Sequence, residues 1–288
     1  MNRNADSIST PSGSLSAPLG MEDSANSSSA GESAGRIGVV PNGGYLIVNA
    51  DDWGRDRETT DRTLDCILRG TVSSVSAMVY MADSERAAEI ALKRGIDVGL
   101  HLNFTTPFSA PNCPARLVGY HCRIAAYLRR HPFARVLFHP GLAHPFEYVV
   151  KTQIDEHHRL YGMGPGRLDG HHHLHLCSNV LLGRLLPSGS LVRRNFSFQP
   201  GEKNLFNRLY RGWVDRMLAR RHRLTDFFFS LPPLQPPCRL HRIFSLARQF
   251  VVEVETHPIK TEEYRFLAEG EILRWVEECG IAPRFVAR

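Results

Sequence analysis

Residues Tyr45–Gly54, YLIVNADDWG, decide how the rest of the chain is read. Tyr45 to Val48 form a short apolar run, partly β-branched, with the composition of a buried strand. Asn49-Ala50-Asp51-Asp52 end it, and Gly54 permits a sharp turn away from a sheet. Two adjacent carboxylates at the end of a buried strand are costly unless something cationic compensates them. An Asp-rich turn before a helix is common, so the pair gains meaning only from what the other strand ends carry.

Downstream of Gly54, Arg57–Leu68 reads as a helix stopped by Gly70, and Thr71–Tyr80 is strand-rich. Glu85–Lys93 reads as a second helix closed by Gly95, and Ile96–Leu102 as a third strand with His101 near its end. This alternation predicts a parallel sheet covered by helices. Residues 104–145 break the rhythm. They are rich in Pro, Phe and Arg, with one helix around Arg123–Arg130, and an insertion of that length reads as a lid or binding loop.

The rhythm returns with a helix over Phe146–Tyr161. Arg167-Leu168 then lead into Asp169-Gly170-His171-His172-His173-Leu174-His175. A helix (Asn179–Leu186), a strand (Leu191–Arg194), a long helix (Asn204–Arg220) and a strand (Thr225–Ser230) follow. Beyond a Pro-rich loop at 232–237, FVVEVE (Phe250–Glu255) is the last clear strand. It ends in Thr256-His257-Pro258, and a helix spans Glu262–Glu278. About seven strand–helix units in roughly 245 residues fit an α/β fold of one kind, a distorted (β/α) barrel of about seven parallel strands with an inserted lid region.

Residues 1–42 are dominated by Ser, Ala, Gly and Asn and are expected to be a disordered tail, leaving 43–288 as the folded domain. The tail has no apolar core of the kind a signal peptide needs, and no segment is long enough to span a bilayer. The six cysteines (Cys66, Cys113, Cys122, Cys177, Cys238, Cys279) include no CxxC pair. That suits reduced thiols in a cytoplasm and argues against a disulfide scaffold or zinc ribbon. A net charge of +6 is a mild excess that favours anionic partners without requiring one.

Side chains at the carboxyl ends of barrel strands converge on one mouth. Four such ends here offer Asp51-Asp52, His101, the His171–His175 cluster and His257. Imidazole and carboxylate suit Zn²⁺, which keeps a position open for water when three protein ligands hold it. Each element also has a plainer explanation: a core histidine at His101, a polar loop at HHHLH, a strand-ending His257. If the 171–175 run is extended, His171, His173 and His175 share a face and only some of them can ligate. The joint pattern is harder to dismiss than its parts. In the helix Asn204–Arg220, Leu205, Leu209, Trp213 and Met217 form a stripe expected to pack inward, with Arg208, Arg211, Arg216 and Arg220 on a solvated face.

The set NADDWG (49–54), GLHLN (99–103), DGHHHLH (169–175) and THP (256–258) resembles the YdjC-like carbohydrate deacetylases. That family includes chitooligosaccharide deacetylases and deacetylases associated with hopanoid glycolipid synthesis. The motifs keep the family's order from about Tyr45 to the C-terminus, with Trp53 where the family usually has Phe. The resemblance implies a barrel with one divalent ion, Mg²⁺ or Zn²⁺, held by Asp52, His101 and His171. It implies Asp51 as general base, His257 as general acid, His173 as a substrate contact and Asp169 as a group orienting a ligand histidine. The implied partner is an N-acetylated carbohydrate, with no nucleic acid; peripheral contact with a membrane glycolipid and a homodimer stay open. Two competing readings remain. One is a metal-dependent phosphoester hydrolase; the other is a non-catalytic basic barrel that binds membranes or nucleic acid, against which the intact ligand set argues.

Overall fold

Seven strands, β1 (Tyr45–Trp53), β2 (Ser74–Ala77), β3 (Val98–Leu102), β4 (Arg167–Gly170), β5 (Leu191–Val192), β6 (Phe227–Ser230) and β7 (Val251–Thr256), form one parallel sheet in the order β5-β4-β3-β2-β1-β7-β6. The structure is a computed structural model describing residues 43–130, 133–198, 204–276 and 280–285. The expected tail at 1–42 and Cys279 lie outside the described residues. The sheet curls until its edges meet. Val192 N donates to Arg223 O at 2.9 Å and Ser197 N to Phe228 O at 2.8 Å, so a thin seam joins the β5 side to β6. The expected seven-stranded distorted barrel is therefore the fold.

The strands bury apolar residues on their outer face. Leu46, Val48, Val75, Leu100, Leu102, Leu168, Val252 and Val254 join one cluster with the covering helices. These include α1 (Arg57–Leu68), α2 (Ser84–Arg94), α3 (Ala115–Arg130) and α4 (Ala143–Tyr161). A smaller cluster of Ile47, Val251 and Ala282 closes the floor of the barrel. Above that floor the interior is polar. Arg167 donates to Asn49 Oδ1 at 2.6 Å and to Val75 O at 2.8 Å. A Cβ at Gly99 would stand 2.8 Å from Arg167 Cζ, so the glycine of GLHLN makes room for this guanidinium.

The β1–β2 register passes from Ala50↔Val75 to Trp53↔Ala77, which leaves one extra residue on β1. This bulge, with Asp52 at φ 66°, explains how two consecutive carboxylates reach the same mouth. In a regular strand they would face opposite sides of the sheet.

Several expectations are corrected. The 104–145 segment carries a longer helix than expected, α3, whose Leu117, Ile124 and Leu128 are buried; the parts before and after it reach the mouth, with Thr105 Oγ1 3.3 Å from His172 Nδ1 and Arg135 lining the cavity there. The 171–175 run is not extended. It is a 3-10 turn, His171–Leu176, with His172 and His173 both at φ 56°, so alternate histidines do not share a face. After α5 (Ser178–Leu182) and α6 (Leu205–Ala219), a helix α7 (Pro237–Leu246) follows the Pro-rich loop where none was expected. The last helix divides at Gly270 into α8 (Thr261–Ala268) and α9 (Glu271–Trp275). The α6 stripe also faces the other way. Leu205, Leu209 and Trp213 are 64%, 59% and 55% exposed, while Val214 and Leu218 are the buried residues.

Candidate metal centre

Asp52, His101 and His171 come together at the mouth, and one donor atom from each lies within 4.8 Å of the others. His171 Nδ1 is 3.0 Å from Asp52 Oδ1, and His101 Nε2 is 3.4 Å from the same oxygen. The β3–β4 register sets His101 beside Asp169, and His101 Nδ1 meets Asp169 Oδ1 at 2.8 Å. That bond fixes the proton on Nδ1 and turns Nε2 toward Asp52, the arrangement that ligand histidines adopt. His101 Nε2 is buried with no hydrogen-bond partner. An orphaned imidazole nitrogen facing a carboxylate and a second imidazole fits a divalent cation.

Electrostatics favour positive charge at this point. Burial would depress the His101 imidazole, but Asp51, Asp169 and Asp52 overcome it and push its pKa up to about 9. Burial would raise the Asp52 carboxyl, yet the His171 hydrogen bond and the charge of His101 hold it well below the usual carboxylate range. Arg55 Nη1 donates to the other Asp52 oxygen at 2.9 Å.

Behind the centre stands Arg193, 1% exposed. Its Nη1 and Nη2 each donate to Asp51 at 2.7 Å, Nη2 also reaches Asp169 at 3.0 Å, and Nε donates to Glu253 at 2.7 Å. Asn49 Nδ2 donates a third bond to Asp51, at 2.8 Å. Against the effect of burial, Arg193 and His101 hold Asp51 ionised far below the usual range. Glu255 is different: burial and the Asp51 charge push its carboxyl up to about 7. Sequence reading missed Arg193, Glu253 and Glu255. For the two glutamates a signal existed, since the period-2 spacing of FVVEVE aims Glu253 and Glu255 at one face. For Arg193 in LVRR there was none.

A cavity of about 520 Å³ opens over the centre, lined by Asp51, Asp52, His101, His171, His172, His173, Glu255 and His257 among others. His257 follows β7. Its backbone N donates to Glu263 Oε2 at 2.8 Å, and its Nδ1 has no partner. His173 sits 3.6 Å from Glu255 Oε2, its ring 4.6 Å from that of Phe196. Burial and the Arg193 charge drive its pKa down to about 3, leaving it neutral. His175 faces away from the cavity, bonding Arg193 O at 2.9 Å. All six sequence-predicted site residues thus meet in one place.

A parallel α/β barrel with an Asp–His–His cluster at its mouth is the class that fold and site define. Residues 45–278 match the family described as YdjC-like protein, and the chain belongs to that family. It is 31% identical over 138 residues to a mouse carbohydrate deacetylase, covering 47% of this chain and 44% of that one. A chitooligosaccharide deacetylase of Serratia marcescens is 31% identical over 136 residues, or 46% and 50% of the two chains. The chain spans about half the length of the curated relatives it matches. A solved Enterococcus faecalis protein, provisionally described as a cellobiose-phosphate cleavage protein, superposes with a TM-score of 0.57 at 20% identity. It covers 83% of this chain and 95% of its own. That likeness bears on the fold alone.

Proposed function

We propose that the chain is a metal-dependent deacetylase acting on an N-acetylated sugar, of the chitooligosaccharide or N-acetylglucosaminyl glycolipid type. The observation that carries this reading is the orphaned His101 Nε2, aimed at Asp52 and His171 beneath a cavity flanked by Asp51 and His257. Asp52, His101 and His171 would hold one divalent ion, Mg²⁺ or Zn²⁺. When bound, the ion polarises the acetyl carbonyl and makes a water acidic enough to attack it.

The chain's own groups do the rest. Asp51 accepts the proton of the attacking water. The Arg193 fork bonds both of its oxygens, which keeps it ionised across the neutral range and fixes its orientation. A carboxylate so strongly ionised is a weak base, so it serves only for a water already made acidic. His257 delivers a proton to the sugar nitrogen as the C–N bond breaks, which lets an otherwise poor leaving group depart. His173, neutral and seated against Phe196, contacts the sugar. Asp169 and Ser76, bonded at 2.5 Å, keep His101 oriented.

The domain carrying this activity is 43–288. Its free Cys66, Cys113, Cys122, Cys177 and Cys238 suit a cytoplasmic setting, and no described helix is long and apolar enough to cross a membrane.

The test is acetate release from chitobiose, an N-acetylglucosaminyl lipid and other N-acetyl glycosides, alongside phosphate release from phosphoesters. Acetate release that chelation abolishes and a divalent salt restores is the expected result. Phosphate release without acetate release overturns the reading.

A further inference from the structure

The outward face of α6 is apolar where a barrel helix is expected to be polar. Phe206 is 83% exposed, Leu205 64%, Leu209 59% and Trp213 55%. These positions fall on one arc of the helix, opposite the buried Val214 and Leu218. Beside them stand Arg208, Arg216 and Arg220, all exposed, and no described carboxylate pairs with any of them. The single acidic residue of α6, Asp215, is already used within the fold, bonded to Arg194 at 2.8 Å. Among the described residues, the face therefore combines large apolar side chains with guanidinium groups that no carboxylate neutralises. Helices of this composition lie in the interface of an anionic bilayer, with their arginine stems in the apolar region and the charges at the headgroups.

A second element that borders the same cleft as α6 is also apolar on its surface. In the segment after α3, Phe133, Leu137 and Phe138 are 61%, 55% and 41% exposed. Val136 of this segment and Tyr210 of α6 line one cleft, and His172 and His173 form its inner end. The same two histidines line the cavity over the metal centre. Two exposed apolar elements thus flank a passage that ends at the candidate catalytic groups. Isolated surface apolar residues need no explanation, but two exposed apolar sets on elements that border one cleft leading to a site do.

We infer that α6 and the 133–138 segment form a docking surface for a bilayer containing anionic lipid, and that the cleft between them admits the headgroup of a membrane-resident N-acetylated glycolipid. The substrate half of this inference rests on the deacetylase reading; the docking half does not. A second copy of this face would bring only more guanidinium groups to it, since the one acidic residue of α6 is already bonded to Arg194. A bilayer of anionic lipid neutralises all of them at once while burying the apolar arc.

The test is sedimentation of the full chain with vesicles of phosphatidylcholine, with and without phosphatidylglycerol. Binding that needs phosphatidylglycerol and weakens with salt is expected. The double variant F206E/W213E, altered only at exposed positions, should bind on the order of tenfold or more weakly, and L137D/F138D should also weaken it. Both variants should release acetate from soluble chitobiose as the unaltered chain does. Lost acetate release from a vesicle-embedded N-acetylglucosaminyl lipid, with soluble activity kept, completes the expected pattern. No vesicle binding by the unaltered chain overturns the docking surface, whatever its activity. A chain that is dimeric and becomes monomeric in F206E/W213E, with no vesicle binding, also overturns it by assigning the face to a second copy. Vesicle binding without acetate release from any N-acetyl sugar leaves the surface standing and removes the deacetylase reading instead.

Discussion

Arg193 grips Asp51 with both ends of its guanidinium, Nη1 to Oδ2 and Nη2 to Oδ1, each at 2.7 Å across 142 positions of sequence. The same side chain reaches Asp169, Glu253 and Glu255, so one cation organises four carboxylates inside the barrel. Through Asp169 it touches the orientation of His101; through Asp51 it touches the proposed base.

Replacing Arg193 with Met should cost about 3–5 kcal/mol of stability, because it leaves buried carboxylates unpaired. Arg193→Lys should cost less, since charge remains, yet it should lower the rate of acetate release because the two-pronged hold on Asp51 is gone. Chemical denaturation and rate measurements on both variants check this. An R193M protein as stable as the unaltered chain would show the network to be dispensable.

The two neighbouring aspartates should separate by assay. Asp52→Asn and the double variant H101A/H171A should lose bound metal, measured on the purified proteins. Asp51→Asn should retain most of the metal and lose most activity, because a carboxamide accepts no proton from water. If both single variants hold metal equally and only D52N is inactive, the roles are exchanged.

For His257, the telling comparison uses two substrates. His257→Ala should retain metal while deacetylation of the amide falls on the order of a hundredfold or more. An activated ester, whose leaving group departs without protonation, should lose far less. Equal proportional losses would make His257 a positioning residue.

Acid should unfold the protein earlier than its carboxylates alone would dictate. Burial holds His175 down to about 3 and His157 and His121 down to about 4, against an ordinary value of 6.5. Each stays neutral in the folded chain and takes up a proton on unfolding. Their contribution is therefore intact above about pH 6.5 and lost as pH falls toward 4. Each group weakens the folding equilibrium by up to about tenfold per pH unit in that window. Thermal midpoints between pH 7 and 5 measure it, and substituting His121 with Phe should flatten the slope.

The motif positions were legible for a simple reason. Strand period, turn glycines and strand-end polar residues are local, so β1, β3, β4 and β7 and the Asp, His, His and His at their ends could be placed from their neighbours. Errors arose where a neighbour distant in sequence decides the outcome. The α6 stripe looked inward because period alone cannot say which of two apolar arcs meets the barrel. Val214 and Leu218 won that contest, and Trp213 was left outside. The Pro-rich stretch before α7 masked a helix that starts with Pro237 in its first turn, a position that proline tolerates.

The sequence by itself determined the parallel α/β plan, the family resemblance and six of the residues that line the mouth, because each follows from short-range pattern. Only the tertiary structure decided which of them touch. The bulge that turns both Asp51 and Asp52 to one side is a matter of register between strands. The pairing of His101 with Asp169 is fixed by β3 lying beside β4. The burial of Arg193 among carboxylates depends on barrel closure, which brings β5 across to β1 and β7. No local preference encodes those distances; they exist only once the sheet has curled.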